Sequence, residues 1–335
     1  MKVVVLTTSY PSPEHPVAGN FVASSVQAAR EAGIDVSVVS PADFPHFGIA
    51  FDAGIVQNLR AAPWKLAFVP GFLAAFALAA RRAAHDADLV HAHWIPSAIA
   101  ARATGKPYVL QVWGTDVELG RRAPWLVRPL VRGARSVIAA SSFLAEEARA
   151  LGAKKVAIVP TGVHIPAGVG EPDEPPHVLF AGRLSEEKGI REFLAATNGL
   201  PRVIVGDGPL GALVPEAVGS VPPDEMGRYY ARAAVVAVPS RREGYGMTAR
   251  EALAQGRPVV ATRVGGLTDL KGGLVQVEPG DVSALRAAIV RLLADAGARR
   301  ALGAEGVRDV PTIEDEAALL SATYVSSLEG WRAEH

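Results

Sequence analysis

Short apolar runs and longer amphipathic stretches alternate along almost the whole chain. Val3–Thr7, Asp35–Ser40, Leu89–Ala92, Tyr108–Val112, Ser136–Ala140 and Val156–Val159 are apolar and of strand length. Between them, Phe21–Ala32, Ala74–His85, Ile95–Thr104 and Phe143–Leu151 carry helical periodicity. Gly33 and Gly105 close two of these helices, and Ser141 or Ser142 caps a third. After residue 176 the pattern restarts. Strands are predicted at Val178–Ala181, Arg202–Val205, Val235–Val238, Pro258–Ala261 and Leu274–Val277. Helices are predicted at Ile190–Thr197, Asp224–Ala234, Thr248–Gln255 and Val282–Ala294. Strands alternating with helices predict an α/β fold with parallel sheets.

The stretch Pro166–Pro176 is rich in Pro and Gly, has no periodicity and reads as a linker. The expected division is therefore 1–165 for a first doubly wound lobe and 177–311 for a second, with a helical tail over 312–335. Glu314, Asp315 and Glu316 in the first turn of that tail favour the helix dipole. Ligands of such sheets sit at the carboxyl ends of strands, so a cleft between two facing lobes is the default site.

Composition narrows the classes. Of 335 residues, 49% are apolar and 20% charged, so a large core can form. Lys+Arg and Asp+Glu both number 34, which argues against broad binding of nucleic acid. The chain has no cysteine, which removes disulfides and thiolate metal sites and fits a reducing compartment. The opening residues read as a first strand, their apolar core being too short for a signal peptide. The longest apolar run, Leu66–Ala80, is interrupted by Pro70-Gly71 and falls short of the ~20 residues of a membrane span. It reads as a buried helix, the alternative being a surface patch that docks on a membrane between cations.

The densest chemistry is Pro239-Ser-Arg-Arg-Glu-Gly-Tyr-Gly-Met-Thr-Ala-Arg-Glu251. A strand, a glycine-bearing turn and a helix put unpaired helix N–H groups at a strand's carboxyl end, where phosphate binds. Glu243 and Glu251 would repel phosphate, so they suit hydroxyl groups, and the combination suggests a sugar nucleotide. Arg183 and Lys188 follow another strand, and two cations there suit a diphosphate or surface pairs with Glu186 and Glu187. Gly206-Asp-Gly-Pro-Leu-Gly211 matches a dinucleotide fingerprint only formally, because it follows the second strand of its lobe and contains Pro209. It reads as a turn at the cleft edge. Gly19 opens a turn from the first strand into a helix, as a phosphate contact or an ordinary βα turn. His91 and His93 share a strand face without further metal ligands, so no metal is expected. His93 is a hydroxyl contact or a structural histidine, and Asp116 a hydroxyl acceptor or a helix cap.

Together, Glu243-x7-Glu251, Gly182-Arg183…Lys188-Gly189, Gly206-Asp-Gly-Pro209 and Pro258-Val-Val-Ala-Thr-x-x-Gly-Gly266 resemble the retaining glycosyltransferases of family 4. The resemblance also takes in the Gly19 loop, His91-Ala-His-Trp94, Val159-Pro-Thr-Gly-Val163 and the final helix, and so covers nearly the whole chain. It implies the GT-B fold, two Rossmann-like lobes with a cleft between them and a last helix crossing back to the first lobe. It implies transfer of a sugar from a UDP- or GDP-sugar to a hydroxyl acceptor (a glycan, a lipid-linked or a small-molecule acceptor), with retention and without a metal or other cofactor. Arg183 and Lys188 would bind the donor diphosphate and Glu251 the ribose. Glu243, with the backbone of Gly244, Tyr245, Gly246, Met247 and Thr248, would hold the transferred sugar and diphosphate. Gly19, Gly182, Gly206 and Gly208 would line the donor site, and His93, Trp113 and Asp116 the acceptor and sugar side. Trp113 stands where many members have His, and can stack on a sugar or fill the wall. His164 stands where Asp or Asn is frequent, and the segment Gly211–Pro222 is short. A nucleotide-sugar epimerase or hydrolase on the same fold, and a non-catalytic nucleotide-sugar binder, are the alternatives. A monomer or homodimer is expected in the cytoplasm, with peripheral contact at the inner face of the cell membrane.

Overall fold

The structure, a computed structural model, describes residues 1–15, 18–50, 54–168 and 170–334, and only the backbone of Gln57 and Leu119. Pro16 and Val17 of the loop before Gly19 lie outside the described residues, as does Val169. The chain forms two compact units, Met1–Gly162 with Ile313–His335, and Val163–Thr312.

In the first unit the elements run β1 (Lys2–Leu6), α1 (Asn20–Glu31), β2 (Asp35–Val39), α2 (Ile55–Ala61), α3 (Val69–Ala83) and β3 (Leu89–His93). They continue with α4 (Ser97–Ala103), β4 (Tyr108–Val112), α5 (Gly114–Arg122), α6 (Pro124–Gly133), β5 (Val137–Ala139), α7 (Ser142–Ala150) and β6 (Val156–Ile158). The sheet is parallel throughout, in the order β2-β1-β3-β4-β5-β6. β3 and β4 are buried along their full length, as strands covered on both faces must be, and so read as unbroken runs rather than alternations.

The second unit carries β7 (Val178–Ala181), α8 (Ile190–Ala196), β8 (Arg202–Val205), α9 (Pro223–Arg232), β9 (Val235–Val238) and α10 (Met247–Ala254). β10 (Val259–Thr262), β11 (Leu274–Val277), α11 (Val282–Ala294) and α12 (Ala296–Asp309) complete it. Its parallel sheet has the order β11-β10-β9-β7-β8, with apolar clusters on both faces. The segment expected as a linker belongs to this unit. Asp173 pairs with Arg232 at 2.8 Å, and Gly170 O accepts from the buried Arg257.

The chain then returns to the first unit as α13 (Ile313–Arg332), whose Leu320, Tyr324 and Leu328 join the core of β1, β3 and α1. Glu314, Asp315 and Glu316 lie in its first turn as expected, and Glu316 is buried there. Its carboxylate accepts from Ser25 Oγ and, at 2.8 Å, from Gly162 N, which anchors the helix where the chain leaves the unit. Burial holds its pKa above the usual carboxylate range against those two bonds.

Candidate active site

In the second unit the site grows from the turns after β7 and β9, which are neighbours in the sheet. Pro239 follows β9 and begins the loop that leads into α10 through Gly246, at φ +88°. No side chain caps α10, so its first-turn N–H groups keep their hydrogen-bonding capacity for a ligand. Thr248 Oγ1 donates to Ala181 O at 3.2 Å, fixing this helix start to the end of β7.

Arg250, a residue no motif singled out, holds the loop from beneath. It is buried, its Nη1 donates to Tyr245 O and its Nη2 to Gly266 O at 3.2 Å, and the guanidinium lies 3.7 Å from the Tyr245 ring centroid. Gly266 N donates to Glu243 O at 3.1 Å. A Cβ at Gly266 would lie 2.4 Å from Gly244 O, so only glycine permits this approach.

On this platform Lys188 Nζ meets Glu243 Oε2 at 2.7 Å, and Ser240 Oγ donates to the same oxygen at 3.1 Å. Gly189, at φ +72°, turns the chain behind Lys188 into α8, its Cβ position 1.9 Å from Pro239 O. Arg183 is exposed on the same β7 turn. Further along α10, Tyr230 Oη donates to Glu251 Oε2 at 2.7 Å and orients that carboxylate. Burial raises the Glu251 pKa, with the Tyr230 bond opposing.

Gly206 and Gly208 serve the backbone. Leu184 N donates to Asp207 O and Leu210 N to Leu184 O, both at 2.9 Å, zipping the turns after β7 and β8 together. A Cβ at Gly206 would meet Gly182 O at 1.9 Å, and one at Gly208 would meet Leu184 O at 2.6 Å.

In the first unit Gly19 starts α1 at φ +64°, and its Cβ position lies 2.2 Å from Ser9 O. Asp116 ties two turns together. Its Oδ1 accepts from Trp113 N at 2.8 Å and Val117 N at 3.0 Å, and its Oδ2 from Ile95 N at 3.1 Å. This is capping, one of the two roles expected of it. Burial pushes the carboxyl up to about 7, against those N–H groups, which favour its ionised form. Trp113 is 8% exposed and packs on Phe21 with ring centroids 4.4 Å apart, so it fills a wall. His93 is fully buried, stacked behind Trp113 at 6.0 Å, and neither ring nitrogen has a partner. That position removes it from the hydroxyl-contacting role considered above, because β3 is covered on both faces. His91 bonds Tyr324 Oη at 2.7 Å.

Residues 18–165 match the model of Glycosyltransferase Family 4, and residues 175–295 that of Glycosyl transferases group 1. The D-inositol 3-phosphate glycosyltransferase 1 of Catenulispora acidiphila is 30% identical over 406 residues, spanning 98% of this chain and 96% of that protein. The chain is a family 4, group 1 glycosyltransferase. Its fold is GT-B: a sucrose-phosphate synthase from Thermosynechococcus elongatus superposes with a TM-score of 0.80 at 21% identity, over 98% of this chain and 100% of that one. Anabaena Alr3699/HepE, solved in complex with UDP-glucose, superposes with a TM-score of 0.75 at 18% identity, over 97% and 100% of the two chains.

The glycosyltransferase therefore carries its titratable chemistry in two different settings. Glu243 and Lys188 are partly accessible, whereas His91 and His93 are buried and neutral. Burial lowers the His91 pKa to about 3, the Gln111 side chain opposing, and burial with the nearby His91 holds His93 well below the usual range. Below the unfolded pKa of about 6.5 the unfolded chain binds protons that the folded state refuses, so stability falls as pH drops towards 3. The free energy of unfolding is expected to decline by up to about 1.4 kcal/mol per pH unit for each histidine between pH 6 and 4. Urea titrations at stepped pH measure this. The slope should flatten in His93→Gln, and an unchanged slope would contradict the assignment.

Proposed function

We propose that this glycosyltransferase moves a sugar from a UDP- or GDP-sugar to a hydroxyl acceptor with retention of anomeric configuration and without a metal. The observation that carries the reading is the Lys188–Glu243 pair, 2.7 Å apart, on the turns that meet the uncapped start of α10, with Glu251 on the same helix. A cation and helix N–H groups at one place suit a diphosphate, and carboxylates held by Ser240 and Tyr230 suit hydroxyls. The UDP-glucose held by the Anabaena protein of the same fold supports this donor class.

In the proposed reaction the bond between the sugar C1 and the diphosphate oxygen breaks, and C1 bonds to the acceptor oxygen on the same face. The acceptor proton passes to the departing phosphate oxygen. Lys188, Arg183 and the α10 N–H groups stabilise the charge that builds on the diphosphate. In this reading Glu243 accepts from hydroxyls of the transferred sugar and Glu251 from those of the ribose. Because side-chain cations take the role of a divalent ion, chelation with EDTA is expected to leave the rate unchanged. Proton NMR of the product made from UDP- and GDP-α-hexoses with saccharide and polyprenyl-phosphate sugar acceptors tests the rest. An α-linked product is expected; a β-linked product, or a donor epimer formed without acceptor, would overturn retaining transfer.

A further inference from the structure

The apolar run Leu66–Ala80 is not a buried helix. It belongs to a longer helical stretch, Pro63–Ala83, whose most apolar 18-residue window has mean hydropathy 1.5. Phe72, Phe76 and Ala80 face the core, where Phe76 stacks on Phe44 with centroids 4.6 Å apart, so the stretch is part of the first unit. Its opening turns are different. Trp64 is 67% exposed and Leu66 58%. Trp64 meets Phe68 at 5.9 Å and Phe68 meets Phe47 at 5.6 Å, forming one continuous aromatic patch that three partly exposed rings share. A second apolar site opens α6, where Trp125 is 77% exposed beside Leu126.

Topology places both sites at one rim. α3 and α6 each run back to the start of a parallel strand, β3 and β5, so their first turns lie towards the carboxyl ends of the sheet. α4 packs against both helices. Next to the first aromatic patch the nearby charges are basic: Arg60 lies in the last turn of α2 and Lys65 between Trp64 and Leu66. At α6 the exposed Arg128 follows Trp125 and Leu126, while Arg121, Arg122 and Arg135 are paired with Glu147, Glu118 and Glu334. A symmetric contact with a second copy would set cations against cations. A protein partner would need a matching acidic face, whereas exposed Trp beside Lys and Arg suits the headgroup layer of an anionic bilayer.

We propose that this rim of the first unit docks on a membrane surface bearing anionic lipids, with Trp64, Phe68 and Trp125 entering the headgroup region. The proposal stands on these exposed residues and not on the donor assignment. The test is flotation of the whole protein with phosphatidylcholine vesicles, with and without phosphatidylglycerol. The wild type is expected to float with the anionic vesicles and far less with the zwitterionic ones. Its tryptophan emission should shift to the blue on mixing. The double variant Trp64→Ser/Phe68→Ser, and separately Trp125→Ser, should lower vesicle partitioning by roughly tenfold or more while circular dichroism shows both folded. Absence of flotation, equal flotation of the variants, or a vesicle-free dimer that Trp64→Ser dissociates would overturn it.

Discussion

Replacing Lys188 by alanine is expected to lower kcat by about 10²- to 10³-fold, the loss seen when one preorganised group facing developing charge is removed. The amine is held by Glu243 at 2.7 Å, and Gly189 turns the chain immediately after Lys188 into α8. A group held in this way needs no reorganisation as charge builds on the leaving diphosphate, whereas water admitted by alanine would have to reorient. The Lys188→Ala variant also leaves Glu243 without its cation, so donor affinity should fall as well. Lys188→Arg keeps the charge but replaces a compact ammonium with a planar fork, and should recover only part of the rate. Steady-state kinetics of the three proteins at saturating donor measure the effect. A Lys188→Ala enzyme within threefold of wild type would remove Lys188 from the reaction, since a change of roughly that size is under 1 kcal/mol.

The second large effect is on stability. Gly189→Ala is expected to destabilise the second unit by roughly 3 kcal/mol or more, combining left-handed backbone strain with a steric clash. The added Cβ would sit 1.9 Å from Pro239 O, and Pro239 begins the loop that carries Glu243. Gly199 supplies the control. It has a similar φ, +74°, but nothing lies within 4 Å of its Cβ position. Gly199→Ala should therefore show only the strain, on the order of 1 kcal/mol. Chemical denaturation of both variants separates the two contributions, and equal losses would show that the turn contact with Pro239 is not rigid.

These two turns also show what the sequence made legible. The central strands of both sheets were readable because parallel strands covered on both faces are continuous apolar runs, and the edge strands β2, β6, β8 and β11 by their short β-branched runs between helical segments. Glu243, Arg183 and Lys188 stood out in the sequence as charges on turns after strands, and Glu251 as a carboxylate one turn into the following helix. Helices α5, α6 and α12 escaped the periodicity. α6 carries Pro129 inside it, and α12 contains Gly303 and Gly306, which let it approach Gly256 and Gly273. Nothing local marks those glycines as helical, because the reason for them lies on another element.

The supporting residues were hidden for the same reason. Arg250 and Tyr230 look like a surface arginine and a core aromatic until the fold places them under Tyr245 and against Glu251. Glu316 was legible as a helix-start acid, but its bonds to Ser25 and Gly162 depend on residues far away in the chain. His93 and Trp113 carried a chemical suggestion that packing withdrew, since a histidine on a strand covered on both faces meets no solvent. The exposed Trp64 and Trp125 present the reverse case. Apolar residues are assigned to the core by default, and only the turn of each helix shows which of them have nothing to cover.

The central claim is that the turns of the second unit bind a nucleoside diphosphate through Lys188 and Glu251. Calorimetric titration of UDP and GDP into the wild type, Lys188→Ala and Glu251→Gln proteins tests it most directly. One of the two nucleotides should bind the wild type, and each variant should weaken that binding by about tenfold, or about 1.4 kcal/mol. No heat with either nucleotide, or equal affinity in all three proteins, would contradict it.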